Sequence, residues 1–298
     1  MKTFSSLTKR NVKLFFKDKS MFFVSLITPL ILLVLYATFL AKVYRDSFVS
    51  AMPDGFSVPA SLINATVGGE LISSLLAVSC VTVAFCSNLL MVNDKVNGAR
   101  KDFAVTPVKK STLAFSYYVS SLLTTLIITY TATFAGFGYL AITGWYMSVG
   151  DVFLLILDVF LLTMFGVALS SVVNILLSTN GQASAVGTIV SSVYGFICGA
   201  YMPISNFGKG LQHILSFLPG TYGTSLVRNH TLAGVFAEMQ SQGFPPEVVK
   251  GIKDSIDCNL YFFGHPVSIT AMYLIFCLSI LALLGIFVLE NFLKRKAK

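Results

Sequence analysis

The sequence predicts an all-α integral membrane protein: six transmembrane helices, an N-terminal interfacial amphipathic helix, and an outer re-entrant helical hairpin before the last span. Hydrophobic residues fill 55% of the 298 positions and charged residues only 11%, against about a quarter charged in a soluble domain. Mean hydropathy is +0.79, more apolar surface than a water-soluble fold can hide. The apolar residues also gather into runs near the roughly 20 residues that cross a bilayer, with short basic clusters between them. The net charge of +8 therefore reads as membrane-surface anchoring and not as a nucleic-acid interface.

Residues 1–20 form the first element. At 100° per residue, Lys2, Lys9, Arg10, Lys13 and Lys17 share one arc, while Phe4, Leu7, Val12, Leu14, Phe15 and Phe16 fill the other. A helix of this kind lies in the interface plane on the inner leaflet. The first span, residues 21–41, has no small-residue cleavage site behind it and reads as retained. An outer loop, residues 42–69, carries Pro53, Gly55 and Pro59 and is expected to be irregular. Further spans are expected at 71–92, 112–142, 153–177, 183–202 and 267–290, the fifth being shorter and richer in glycine.

Between the fifth and sixth spans, an apolar run from Leu211 to Leu218 is bounded by Pro203 and by Pro219-Gly220-Thr221-Tyr222. Such a run is too short to cross, so residues 203–228 should dip in from the outer side and return. In the outer loop that follows, 229–266, Val248, Ile252 and Ile256 recur at four-residue spacing and predict a short surface helix. The whole chain, 1–298, reads as a single domain.

Orientation follows from the basic residues in the connections. Those on the side of both chain ends hold fifteen Lys and Arg, the alternate side six spread over longer loops. A positive excess marks the cytoplasmic face, so both termini are expected inside a plasma-membrane protein.

Chemistry of its own is hard to find in this chain. Asp158 lies within the fourth span, either as an intramembrane acid of transport or as a residue that bonds a neighbouring hydroxyl. His213, His230 and His265 fall in the outer connection without partners at fixed spacing. Catalytic residues are therefore not expected. The five cysteines lack any C-x-x-C or Cys/His pattern, so neither a metal site nor a disulfide framework is expected. No G-x-x-x-x-G-K-[ST] loop is present, and any ATP would be hydrolysed by another chain.

Three features remain. Ala183, Gly187, Ser191, Gly195 and Gly199 recur at four-residue steps, a small-residue ridge that lets a helix approach closely, within the subunit or across a cavity wall or subunit interface. Thr124, Thr125, Thr129, Thr131 and Thr133 in the third span either soften a translocation surface or bond their own helix backbone. The cytoplasmic segment 94–107 reads as a short charged helix, with Asp94 as its cap, Thr106-Pro107 as its stop and Ser111 as the cap of the third span. A short helix held between two spans is suited to docking in a partner's groove.

With these residues in view the chain resembles the permease subunits of ATP-binding-cassette exporters of the second type, the ABC-2 type permeases of the type V exporter fold. Their connection after the second span carries an acidic and basic stretch, a Gly and a Leu-x-x-Thr-Pro-like ending, matched here by Asp94, Gly98, Arg100 and Ala104-Val105-Thr106-Pro107. Ala99 departs from the family's usual Thr. A small-residue fifth span, a Pro and a Leu-x-Pro-x-Thr-Tyr-like turn are matched by Gly199 to Pro203 and Leu218-Pro219-Gly220-Thr221-Tyr222.

The resemblance implies coupling to two separate ABC ATPase subunits through Asp94, Gly98, Arg100, Phe103, Thr106 and Pro107, with ATP and Mg2+ held by those partners and no cofactor here. It also implies a second permease chain, identical or related, and a central path lined mainly by the second and fifth spans of both. Gly187, Ser191, Gly195 and Gly199 are the packing or cavity-wall residues, and Pro203, Pro219, Gly220 and Tyr222 mark the hairpin. A hydrophobic or amphipathic cargo (drug, peptide or lipid) would leave the cytoplasm through a path of this character. An ion-coupled transporter or channel without an ATPase is the other class open at this point.

Overall fold

The computed structural model describes residues 2–50 and 59–296, and these are helical apart from short connections and one small hairpin of strands. Helix α1 (Lys2–Lys17) ends at Asp18, whose side chain accepts from the Met21 amide at 3.0 Å and so caps α2 (Lys19–Leu35). Pro29 sits inside α2, and a π-helical turn, Tyr36–Leu40, joins it to α3 (Ala41–Ser50). Then come α4 (Ala60–Val96), the short α5 (Ala99–Ala104), α6 (Lys110–Thr143), α7 (Val149–Leu176) and α8 (Asn180–Ile197). A 3₁₀ turn, Ile204–Asn206, leads to α9 (Lys209–Leu215), α10 (Pro219–Ser241) and α11 (Pro246–Ser255). Strands β1 (Leu260–Phe262) and β2 (His265–Val267) pair antiparallel ahead of α12 (Ile269–Lys296).

Local chemistry sets several of these boundaries. Ser148 and Asp151 form a reciprocal capping box at the start of α7, and Thr179 accepts from the Gln182 amide to open α8. Pro219 occupies the first turn of α10, where its missing N–H costs nothing. Gly199 ends α8 with φ +76°, while the amides of Ala200 and Tyr201 return to the Gly195 carbonyl at 2.8 and 3.0 Å. A Cβ at Gly199 would stand 2.8 Å from Oδ2 of Asp257, so glycine is required there for space as well as for backbone.

Helix α4 is the axis of the fold. It packs against α2, α6, α7, α8 and α10, and 89% of its most apolar stretch is buried within the chain. Against α7 the contact is backbone to backbone: a Cβ on Gly166 would lie 2.6 Å from the Cys80 carbonyl oxygen. Leu76, Val81, Leu155, Leu162 and Phe276 fill the middle of the core. A second cluster around Leu62, Leu232, Phe236 and Ile252 lies at one end, and a third around Leu7, Tyr117, Tyr118 and Phe287 at the other. Phe23, Ile27, Leu30 and Val34 of α2, with Leu274, Leu278 and Leu281 of α12, form exposed apolar faces of the kind a bilayer covers.

Among the described residues five helical stretches are long and apolar enough to cross a membrane: Lys19–Asp46, Ala60–Val96, Lys110–Thr143, Val149–Leu176 and Ile269–Phe292. Helix α8, expected as a span over 183–202, is not one of them. It begins on Asn180-Gly181-Gln182 and stops at Ile197, so it is shorter and more polar than the other five.

The segments expected on the outer side also differ from expectation. The loop expected at 42–69 is helical through Ser50 and again from Ala60, with Pro59 preceding the first turn of α4; Pro53 and Gly55 lie outside the described residues. The second arm of the expected hairpin does not end at 228 but continues in α10 to Ser241, because α10 packs against α4, α7 and α12. The expected surface helix is α11, which buries Val249 and Ile252.

Candidate functional site

The candidate coupling segment is built where α4 gives out. The Asn97 amide bonds the Asn93 carbonyl at 2.9 Å, and Gly98, at φ +83°, reverses the chain. The Gly98 carbonyl accepts from Lys101 at 2.7 Å to start α5, six residues long. The Thr106 amide and hydroxyl both donate to the Phe103 carbonyl, at 3.2 and 2.7 Å, which fixes the stop at Thr106-Pro107. Val105 at this tip is 89% exposed, an apolar side chain held out beyond a helix end, with Thr106 and Pro107 exposed beside it.

Asp94 does not cap this helix. It lies inside α4, buried, and takes both guanidinium nitrogens of Arg10, at 2.7 and 3.2 Å, and the Tyr117 hydroxyl at 2.5 Å. Arg10 in turn stacks over the Phe103 ring at 5.1 Å from its centroid. One arginine thus joins α1, α4, α5 and, through Tyr117, α6. Its hydrogen bonds to Asp94 raise its already high pKa, so the guanidinium stays charged.

The helical-wheel reading of α1 is corrected at this residue. Arg10 turns inward from the basic arc, while Leu7, Thr8, Asn11 and Phe15 are the buried face, packed on α6 and α4. Leu14 and Phe16 are exposed. Arg100 is half-exposed and forms no ion pair among the described residues. Ser111 lies within α6, whose cap position is Lys109 with no side-chain bond. Lys95 fastens the neighbouring corner, donating to the carbonyls of Asn174, Ile175 and Leu177 at 3.1, 2.7 and 2.7 Å. There it satisfies the free end of α7 and complements its dipole.

The small-residue ridge divides in two. A Cβ on Gly195 would come within 2.4 Å of the Tyr201 ring and one on Gly199 would meet Asp257, so this half packs inside the chain. A Cβ on Gly187 would meet nothing within 4 Å, and Ser184, Thr188, Ser192 and Phe196 are exposed along the same helix. Of the two spans assigned to the path, α4 is enclosed and α8 carries the open face. Pro203 is buried, while the hairpin turn is closed by the Tyr222 hydroxyl on the Ser216 carbonyl at 2.5 Å and the Thr221 hydroxyl on the Leu215 carbonyl at 3.1 Å. Gly220 leaves room for the Tyr194 hydroxyl. The α6 threonines follow the plainer expectation: Thr124, Thr129, Thr131 and Thr133 each donate to the carbonyl four residues back.

Two buried polar networks draw partners from distant segments, and in the first Asp158 bonds a neighbouring hydroxyl, one of its two expected roles. Asp158 in α7 is hydrogen-bonded to Nδ1 of His230 in α10 at 2.5 Å and accepts from the Tyr273 hydroxyl in α12, so His230 is a buried, partnered residue and not a loop histidine. Arg228 is 1% exposed and donates to the carbonyls of Ile256 and Gly199 at 2.6 and 3.0 Å and to Ser74 Oγ at 3.0 Å. Asp257, 3.9 Å away, accepts from the Ile204 and Ser205 amides at 2.5 and 3.3 Å. Burial pushes the Asp257 carboxyl above its usual range against the opposing pull of Arg228. Arg228 and His230, two residues apart in α10, gave no hint of partners drawn from distant segments.

Residues 2–231 match the family model described as ABC-2 type transporter. No curated protein matches the chain significantly.

Proposed function

The chain belongs to the ABC-2 type transporter family, and on that premise we propose that this membrane-embedded permease is one half of the translocation path of an ATP-driven exporter. The family implies ABC ATPase partners, which in this reading are two separate subunits holding ATP and Mg2+. The chain contributes no catalytic group. Its part is mechanical: closure of the ATPase pair displaces α5, and the spans fastened to α5 shift together.

The observation that carries this reading is the exposed tip of α5 fastened from behind. Val105, Thr106 and Pro107 face outward, while Phe103 and Asp94 are tied through Arg10 to α1 and α6. A docking element must be rigidly attached to transmit force, and this one is attached at both ends. Both chain ends and α5 lie on the cytoplasmic side in this reading, which follows the excess of Lys and Arg there. Helix α8 completes a sixth span, the turn at 216–222 re-enters from outside, and the open face around Gly187 and Ser191 meets a second permease chain. The cargo is hydrophobic or amphipathic.

The test uses the ABC ATPase that copurifies with the chain. Arg100→Glu should abolish stimulation of ATP hydrolysis by the permease while leaving its folding intact. Full stimulation in that variant would count against α5 as the docking element.

A further inference from the structure

We propose that the groove between the start of α6 and the end of α12 is a binding site for an anionic phospholipid. The groove measures about 580 Å³. Its floor is aromatic, made by Phe115, Phe287 and Phe292, and its rim is polar, made by Lys109, Lys110 and Asn291. These residues open one spanning helix and close another, the level at which a phospholipid's phosphate gives way to its acyl chains. Phe115 and Phe292 are 46% and 49% exposed, so the groove faces outward from the bundle and its occupant is bilayer, not cargo.

Charge selects the kind of lipid. Among the described residues no acidic side chain lines this groove or the adjoining one of about 800 Å³ beside α1, which shares Lys109, Ser111 and Phe115 with it. Neither Lys109 nor Lys110 is in an ion pair among the described residues. The first turn of α6 contains no acid and no side-chain cap, so its free amides add to the positive field of the two lysines. The chain beyond Phe292 carries Lys294, Arg295 and Lys296 in addition. A free phosphate would satisfy the rim and leave the aromatic floor wet. A phospholipid satisfies both, with its headgroup at the lysines and its chains over the rings.

Native mass spectrometry of the full chain, exchanged into mixtures of phosphatidylglycerol and phosphatidylcholine, tests this without any ATPase or transport assay, so its outcome is independent of the exporter reading. The wild type should retain phosphatidylglycerol about thirtyfold over phosphatidylcholine, the order expected of two lysines at an anionic surface. The double substitution Lys109→Glu with Lys110→Glu should bring the ratio to parity, while Lys250→Glu on α11 should leave it unchanged. If the reversed pair fails to fold, Lys109→Gln with Lys110→Gln gives the same readout with a smaller change. An unchanged ratio in the lysine variants would overturn the proposal. So would displacement of the lipid by glycerol 3-phosphate at equal concentration, which would mark a simple anion site.

Discussion

Arg10 and Asp94, 84 positions apart in the chain, meet through two parallel hydrogen bonds of 2.7 and 3.2 Å. Paired nitrogens on a carboxylate fix angle as well as distance, so the interfacial helix is oriented and not merely attracted. Removing the arginine leaves a buried carboxylate with one remaining partner, Tyr117. Arg10→Ala should lower stability by about 2 kcal/mol, below the 3–5 typical of a fully buried pair because the Arg10 side chain is 32% exposed. A double-mutant cycle with Asp94→Ala, read by denaturant unfolding in detergent, should give a coupling of about 1 kcal/mol. Additive single effects would mean that the pair contributes nothing.

Gly98 is held at φ +83° with open space around its Cα. Gly98→Ala should therefore cost about 1–2 kcal/mol through backbone strain alone, and Gly98→Asn, which tolerates this conformation better, distinctly less. Thermal unfolding of the two variants separates strain from crowding: equal losses would point to a steric cause.

The ridge on α8 should respond differently at its two ends. Gly195→Ala drives a methyl into the Tyr201 ring and should cost about 1–3 kcal/mol, recovered in part when Tyr201 is also reduced to Ala. Gly187→Leu should leave the stability of the single chain within about 0.5 kcal/mol and weaken pairing with a second permease chain. Cross-linking yield measures the pairing. Undiminished yield for Gly187→Leu would remove α8 from the subunit interface.

Asp158 joins α7, α10 and α12 through His230 and Tyr273. Asp158→Ala leaves the buried His230 and the half-buried Tyr273 facing a gap and should destabilise the protein by about 3 kcal/mol. Asp158→Asn, which keeps the volume and one acceptor, should cost less. The comparison is read from unfolding midpoints in one detergent, and a wild-type midpoint for Asp158→Asn would show that Asp158 does no more than fill space.

What the sequence made legible was whatever depends on neighbours in the chain. Runs of apolar residues located the five long spans, four-residue spacing located α11, and Thr106-Pro107 located the end of α5. Helix α10 shows why the remainder was hidden. Arg228, Asn229 and His230 interrupt its hydropathy and read as the end of the hairpin and the start of a loop, yet apart from the bond of Asn229 to Ser225 their partners are Ser74, Gly199, Ile256, Cys258 and Asp158, none nearby in sequence. Asp94 was assigned to the right region for the wrong reason. As a cap it needed only local amides, whereas its actual partner, Arg10, becomes visible only once α1 has folded back on α6.

The longest helix is gripped by one arginine near its middle and by another near its C-terminal end. Arg228 holds α4 at Ser74 and Arg10 holds it at Asp94, twenty positions apart, a rise of about 30 Å. Between the two grips α4 is sheathed by neighbouring helices and has no room to buckle. A tilt imposed at the Asp94 grip is therefore expected to reappear at Ser74, where Arg228 also holds the ends of α8 and α11. In the proposed exporter α4 would act as a pushrod in a sleeve, coupling the Arg228 network to α5 without any group in between having to change its bonds.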